Sequence, residues 1–310
     1  MNPSELANML TDGWAAIQGD ALIELRKLEG AELSAIISDP PYASGGMSMG
    51  EKARSTRDKY TSFGEQGNPY PDFSGDALAQ RAWTSFLHEI MAAARKACKP
   101  GAVCALFVDW RQLPALTDAI QWAGWTWRGV AVWDKMNSRP QLGRFRQQCE
   151  YIVWGSNGPL PIERGVSVLP GLFQVANVPT HERWHQTQKP IELMRQVVRL
   201  CEPGGCICDP FAGSGSTLLA ALQEGYQTLG IEQEAHNIAI IRKRLASIQQ
   251  RIELPDGGGG TGQFLFLIPA CKSKKVNKAK GRSWAHGNRG YHCVGQPAGG
   301  VHCAAVWRTT

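Results

Sequence analysis

Asp39-Pro40-Pro41-Tyr42 brings together groups suited to one kind of chemistry. An ionised Asp39 carboxylate only accepts hydrogen bonds, and Pro40 keeps a carbonyl acceptor while losing its N–H. The two prolines stiffen the backbone and stop the chain from continuing as a strand. Tyr42 adds an aromatic face. A planar base with an exocyclic amine matches this set, because the carboxylate and the carbonyl can each accept one N–H while Tyr42 stacks on the ring. The same four residues also fit a strand-ending turn with a surface tyrosine, so a second signal is needed.

That signal is Cys208-Asp209-Pro210-Phe211-Ala212-Gly213-Ser214-Gly215-Ser216-Thr217. Gly213 and Gly215 let backbone approach a ligand, and the helix start that follows offers free N–H groups to an anion. A lone G-x-G also serves tight strand–helix turns. The loop lacks the spacing of a dinucleotide fingerprint, so it implies no pyrophosphate; a smaller anion such as an amino-acid carboxylate fits. Gly230-Ile231-Glu232 follows one strand later, and an acid there is placed to accept both hydroxyls of a ribose. Taken alone, Glu232 would read as an exposed acid at a helix start.

The elements that must position these groups alternate. Ala15–Ile17 and Ala35–Ser38 read as strands around a short helix through Leu22, Leu25 and Leu28. Residues 43–75 form a long loop rich in Gly, Ser, Pro and charge. Residues 76–98 form an amphipathic helix, stopped by Lys99-Pro100-Gly101. Strands at 103–108, 130–133, 151–154, 206–208 and 228–231 interleave with helices at 114–123, 191–201, 216–224 and 234–250. Residues 155–185 are irregular. The pattern predicts an α/β fold with a doubly wound, mostly parallel sheet. In such a sheet ligands bind at the switch point beyond the strand carboxyl ends. The strands before Asp39 and Asp209, 170 positions apart, should therefore be neighbours.

Composition bounds the rest. The chain has 310 residues, 43% of them hydrophobic, enough for a large α/β domain. It shows no signal-peptide pattern and no apolar run of membrane-span length, which predicts a cytoplasmic protein with no membrane partner. Nine scattered cysteines imply buried thiols rather than disulfides or a metal site. Cys206 and Cys208 would point to one face of a strand. The net charge of +6 is a tail property, since residues 257–310 hold eight Lys/Arg and no Asp/Glu, leaving −2 on residues 1–256. This divides the chain into a domain at 1–254 and a Gly/Lys-rich tail at 255–310 that reads as disordered. His292-Cys293 and His302-Cys303 do not match zinc-finger spacing.

The motifs in this order resemble those of the β-class, S-adenosylmethionine-dependent DNA amino-methyltransferases. There DPPY precedes FxGxG, a circular permutation of the order in other classes; here the two lie at 39–42 and 211–215. His185-Gln186-Thr187-Gln188-Lys189-Pro190 is similar to the family's H-P-T-Q-K-P element, with Gln186 in place of Pro. Gly19-Asp20, Trp133-x-Lys135 and Glu150-Tyr151-Ile152-Val153-Trp154 also match, so the resemblance spans about residues 15–248. It implies a Rossmann-like methyltransferase fold and methyl transfer to adenine N6 in double-stranded DNA by base flipping, in a prokaryotic or phage-infected cell. Alternatives are N4-cytosine transfer or a catalytically silent DNA-binding relative. It further implies that Asp39, Pro40, Pro41 and Tyr42 are catalytic. Asp20, Lys189, Asp209, Phe211, Ala212, Gly213, Ser214, Gly215, Ser216, Thr217 and Glu232 would form the S-adenosylmethionine site. Asp209 would bond loop amides, and Lys189 would pair with the cofactor carboxylate or orient its own motif. No metal is implied, and related enzymes often form homodimers. Candidate DNA-contacting residues are Lys52, Arg54, Arg57, Lys59, Asn137, Arg139, Arg144, Arg146, Arg164, His181 and Arg183.

Overall fold

A computed structural model of the chain describes residues 1–42, 79–138, 140, 142–179 and 188–252, with side chains through 246. The 43–75 loop with Lys52, Arg54, Arg57 and Lys59 lies outside the described residues. So do Arg139, His181, Arg183, His185, Gln186, Thr187 and the 255–310 tail.

Among the described residues eight strands form one sheet. They are β1 (Trp14–Gln18), β2 (Leu33–Ser38), β3 (Cys98–Val108), β4 (Thr126–Asp134), β5 (Cys149–Ser156), β6 (Leu172–Gln174), β7 (Cys206–Asp209) and β8 (Gln227–Glu232). Their spatial order is β1-β8-β7-β2-β3-β5-β4-β6. Every pairing is parallel except the two made by β5, which runs against β3 and β4. From β2 the chain moves to β3 on one side, and from β7 to β8 on the other. The β2–β7 seam, with Ala35 opposite Ile207 and Ile36 opposite Cys208, is thus the switch point. The sequence expectation for this pair agrees with the observed adjacency.

The strand residues explain the layers. All six residues of β2 and all four of β7 are buried, as expected for strands covered on both faces. Cys104, Leu106, Val108, Cys206, Cys208, Leu229 and Ile231 face one core. Against it pack α2 (Ala21–Lys27), α3 (Gln80–Ala97) and α4 (Leu113–Trp122). The apolar stripe of α3, including Trp83, Leu87, Ile90, Met91 and Ala94, supplies much of that layer, each large side chain contributing on the order of 1.5–3 kcal/mol. On the other face, Ala35, Ile37, Val103, Ala105, Phe107 and Ile207 meet α5 (Ile191–Val197) and α6 (Ser216–Gln223). A smaller cluster joins α6 to α7 (Ala235–Ile252) through Leu218, Ile238, Ile241 and Leu245.

Several boundaries differ from the sequence expectation. Lys99-Pro100-Gly101 does end α3 but already belongs to β3, which starts at Cys98 rather than Val103. Gly101, at φ +79°, bulges the strand, and its N–H bonds the Asn157 carbonyl at 2.8 Å. The stretch expected to be irregular, 155–185, contains β6, which pairs with the edge of β4. The helix expected at 191–201 is α-helical only to Val197 and tightens into a 3₁₀ turn at Val198–Leu200. A short α1 (Pro3–Met9), unanticipated, is fixed by a capping box between Asn2 and Glu5. Among the described residues Cys98, Cys104, Cys149, Cys201, Cys206 and Cys208 are free thiols.

Candidate active site

The carboxyl ends of β2 and β7 are tied together by one acid. Asp209 Oδ1 accepts the Ser38 hydroxyl at 2.5 Å and the Phe211 N–H at 3.0 Å, which fixes the strand ends and the glycine loop in one frame. Burial pushes Asp209 up to about 6, against the opposing pull of its bonds to Ser38, Thr217 and Phe211.

Beyond Ser38, Asp39 sits in a group of four charged side chains and one phenol. Lys189 Nζ lies 2.5 Å from Asp39 Oδ2, 3.1 Å from the Tyr42 hydroxyl and 3.3 Å from Glu150 Oε2. The Tyr42 hydroxyl donates to Asp39 Oδ1 at 2.5 Å and lies 3.2 Å from Glu150 Oε2. Lys135, just past β4, pairs with Glu150 Oε1 at 2.6 Å. Two acids and two ammoniums make the group neutral when all are ionised. The rings of Tyr42, Phe107 and Trp133 surround the Lys189 ammonium at 5.3, 5.3 and 5.9 Å.

Burial moves the ionisation of this group, and neighbours correct it. Burial raises Asp39, with Lys189 pulling it down and Glu150 pushing it up. Burial also raises Glu150, but Lys189 and Lys135 outweigh it and hold the acid below its ordinary value. Burial lowers Lys189, yet Asp39 and Glu150 outweigh it and the ammonium is held above its ordinary range. Tyr42 is pushed well up by burial and by both acids, so it stays a neutral donor.

The chain reaches this geometry by several routes. Trp83 on α3 donates its indole N–H to the Pro41 carbonyl at 2.6 Å and clamps the two-proline turn from behind. Glu150 reaches the cluster because β5 is antiparallel, so its first residues lie at the carboxyl ends of β3 and β4. Pro190 directly precedes α5, placing Lys189 at the start of that helix.

The glycine loop forms the neighbouring half. Gly213 has φ +51°, and a Cβ there would meet no atom within 4 Å, so the backbone borders open space. Gly215 has φ +80°, caps α6, and faces Ile241 Cγ1 at a 3.0 Å Cβ distance. Glu232 accepts the N–H of Gly213 at 2.8 Å and of Glu234 at 2.9 Å, one on each oxygen, and also bonds the Asn237 side chain, leaving acceptor capacity for one further hydroxyl donor. Burial raises Glu232. β1 and β8 pair so that Gln18 faces Glu232, and Asp20 follows, capping α2 through the Ile23 N–H at 3.0 Å. Ser216 is buried, and its hydroxyl has no hydrogen-bond partner among the described residues. Phe211 contacts Phe86 with centroids 6.0 Å apart. Arg244 of α7 donates to the Ser214 carbonyl and, at 3.2 Å, to its hydroxyl. Among the described residues no cluster of three or more His, Cys, Asp or Glu could hold a metal.

The structure thus brings Asp39 and Tyr42 beside the loop of Asp209, Phe211, Ala212, Gly213, Ser214, Gly215, Ser216 and Thr217. Lys189, expected to pair with a cofactor carboxylate or to orient its own motif, bonds Asp39 in this structure. Sequence reasoning gave no site role to Glu150, Lys135, Trp83, Phe107 or Arg244. Glu150 and Lys135 stood in matched segments, while Trp83 carried only the spacing of a core residue.

Comparison with known proteins places the chain in a family and a fold. A family model described as DNA methylase, of the N6/N4 type, matches residues 33–243. The chain is 26% identical over 253 residues to type II methyltransferase M2.DpnII of Streptococcus pneumoniae, covering 74% of this chain and 88% of that protein. The M1.HpyAVI–SAM complex is similar in fold, with a TM-score of 0.55, 21% identity, and coverage of 75% of this chain and 98% of that one. The cytosine-N4-specific PvuII DNA methyltransferase has a TM-score of 0.57 at 17% identity, covering 77% and 92%. With the model spanning more than half its length and the motifs seated at the switch point, the chain belongs to the N6/N4 DNA methylase family.

Proposed function

We propose that this protein transfers a methyl group from S-adenosylmethionine to the N6 amine of adenine in double-stranded DNA. One observation carries the reading: the Asp39 carboxylate lies at the end of β2, directly beside the glycine loop that ends β7. The loop fits the cofactor. Gly213 borders open space, Ser216 has a buried hydroxyl with no partner among the described residues, and Glu232 keeps acceptor capacity for one ribose hydroxyl. When bound, S-adenosylmethionine supplies an electrophilic methyl on a sulfonium.

The chain's own residues supply the rest. Asp39 and the Pro40 carbonyl accept the two amine hydrogens, which directs the nitrogen lone pair away from the ring. Tyr42 and Lys189 occupy Asp39 without substrate, so the amine displaces one of these donors as it enters. The methylated nitrogen would carry one surplus proton, and the Asp39 carboxylate, already accepting one of its hydrogens, would take it. The ionised Asp39 carboxylate stabilises the positive charge that develops on the nitrogen it contacts. A base inside a duplex is out of reach, so the target must be flipped, at a cost of a few kcal/mol.

The test is transfer of labelled methyl from S-adenosylmethionine to unmethylated genomic DNA, followed by nucleoside analysis. Labelled N6-methyladenine is the expected product. N4-methylcytosine would overturn the base assignment, and absence of label from DNA would overturn the reading.

A further inference from the structure

The β4–β5 connection, residues 135–148, begins inside the catalytic group, where Lys135 holds Glu150. Its stalk is braced. Lys135 N–H bonds the Gln148 carbonyl at 2.9 Å. Asn137 exchanges two bonds with the backbone of Asn177, at 3.2 and 3.1 Å. Arg146 donates two bonds to the Ser138 carbonyl, at 2.8 and 2.5 Å, and so closes the loop. Met136 holds φ +56°, a conformation that costs a non-glycine residue energy and persists only where surroundings enforce it.

The tip of this braced loop carries Leu142 and Phe145, 103% and 96% exposed. A single exposed apolar side chain needs no explanation. Two bulky ones on either side of Gly143-Arg144, at the end of a stalk rooted in the active site, do. β4 runs parallel to β2, so its end and this loop lie at the same sheet edge as Asp39. Arg144 and Arg146 are exposed beside the two apolar side chains and add two positive charges. Apolar tips flanked by arginine complement a duplex, with stacked bases inside and phosphates outside.

We propose that this loop is a wedge for duplex DNA, in which Phe145 and Leu142 enter the base stack beside the flipped target while Arg144 and Arg146 face the adjoining phosphates. The wedge rests on the DNA-methylation reading above. Its work is to offset the unstacking that accompanies flipping, so it matters only while the target base is paired.

The test uses the full chain with Leu142 and Phe145 both changed to alanine. Sites labelled by the wild-type protein in genomic DNA are mapped. Duplexes of one mapped site are then made with the target paired or facing an abasic position. Single-turnover transfer by the variant should fall about tenfold or more on the paired duplex and change little on the abasic one. S-adenosylmethionine affinity and sedimentation should match the wild type. Equal loss on both duplexes, or loss on neither, would overturn the wedge. Slower sedimentation of the variant than of the wild type would overturn it in favour of docking between copies. If the wild type labels no DNA at all, the methylation reading itself fails, and DNA as the occupant with it.

Discussion

Lys189 Nζ and Asp39 Oδ2 lie 2.5 Å apart, joining the element before α5 to the turn after β2 across 150 positions of sequence. The ammonium is nearly fully buried, and Glu150 is its second acid. Removing one partner of such a group leaves the others buried with unbalanced charge. The pair therefore sets how much of Asp39 is ionised.

Opposite pH shifts follow from that arrangement. Lys189 lowers the Asp39 pKa and Glu150 raises it, while Lys135, Tyr42 and Asp209 also face the group. If ionised Asp39 is the active form, the rate rises with pH through its pKa. Lys189→Gln should move that limb to higher pH, and Glu150→Gln should move it to lower pH. Single-turnover methyl transfer across pH measures both. Limbs that move in the same direction, or not at all, would show that these residues act only through folding.

Trp83 offers a cleaner test of positioning. Trp83→Phe keeps one aromatic ring in the α3 core and loses the 2.6 Å bond to Pro41 together with the volume of the second ring. The expected stability loss is about 2–3 kcal/mol, while the single-turnover rate drops about tenfold, because small misplacements at a reacting centre are costly. Cofactor affinity should not change, since Trp83 holds the other half of the site. Calorimetric titration with S-adenosylmethionine beside rate measurements separates these effects.

The sequence made strand–helix alternation, both motif loops and the β2–β7 seam legible. The apolar runs of β2 and β7 are short and bounded by Pro and Gly, which is how strands buried on both faces read. Glu150 was not legible as a partner of Asp39, because its position depends on β5 running backwards, and periodicity carries no strand direction. Trp83 has the helical spacing of any core residue, so its N–H contact with Pro41 left no trace. Lys189 could be placed near the site by its motif, but the choice between cofactor and Asp39 rests on where α5 starts.

The two loop glycines should separate by phenotype. Gly215 has φ +80°, and a Cβ would crowd Ile241 Cγ1 at 3.0 Å, so Gly215→Ala strains both backbone and packing. Gly213 has φ +51° with open space around its missing Cβ. Both alanine variants incur about 1–2 kcal/mol for the left-handed backbone. Gly215→Ala should lose more stability, whereas Gly213→Ala should lose more cofactor affinity, because its methyl enters the space a ligand would use. Equal affinity loss in the two variants, by titration at matched folded fraction, would count against Gly213 as the point of closest approach.

Asp209 yields a stability signature. Its pKa rises from 3.8 to about 6 in the folded protein. The folded state thus binds more protons than the unfolded state between those values, and stability from this group falls as pH rises through that window. The full shift corresponds to about 3 kcal/mol. Asp209→Asn keeps one oxygen for Ser38 and Phe211 and can donate its amide to Thr217, whose hydroxyl accepts as readily as it donates. Relative to wild type, the variant should gain stability as pH rises from about 4 to 7, with the difference levelling above about 6.5. Denaturant unfolding at a series of pH values reads this directly. A difference independent of pH would mean that Asp209 titrates alike in both states and that its burial is compensated in full by Ser38, Thr217 and Phe211.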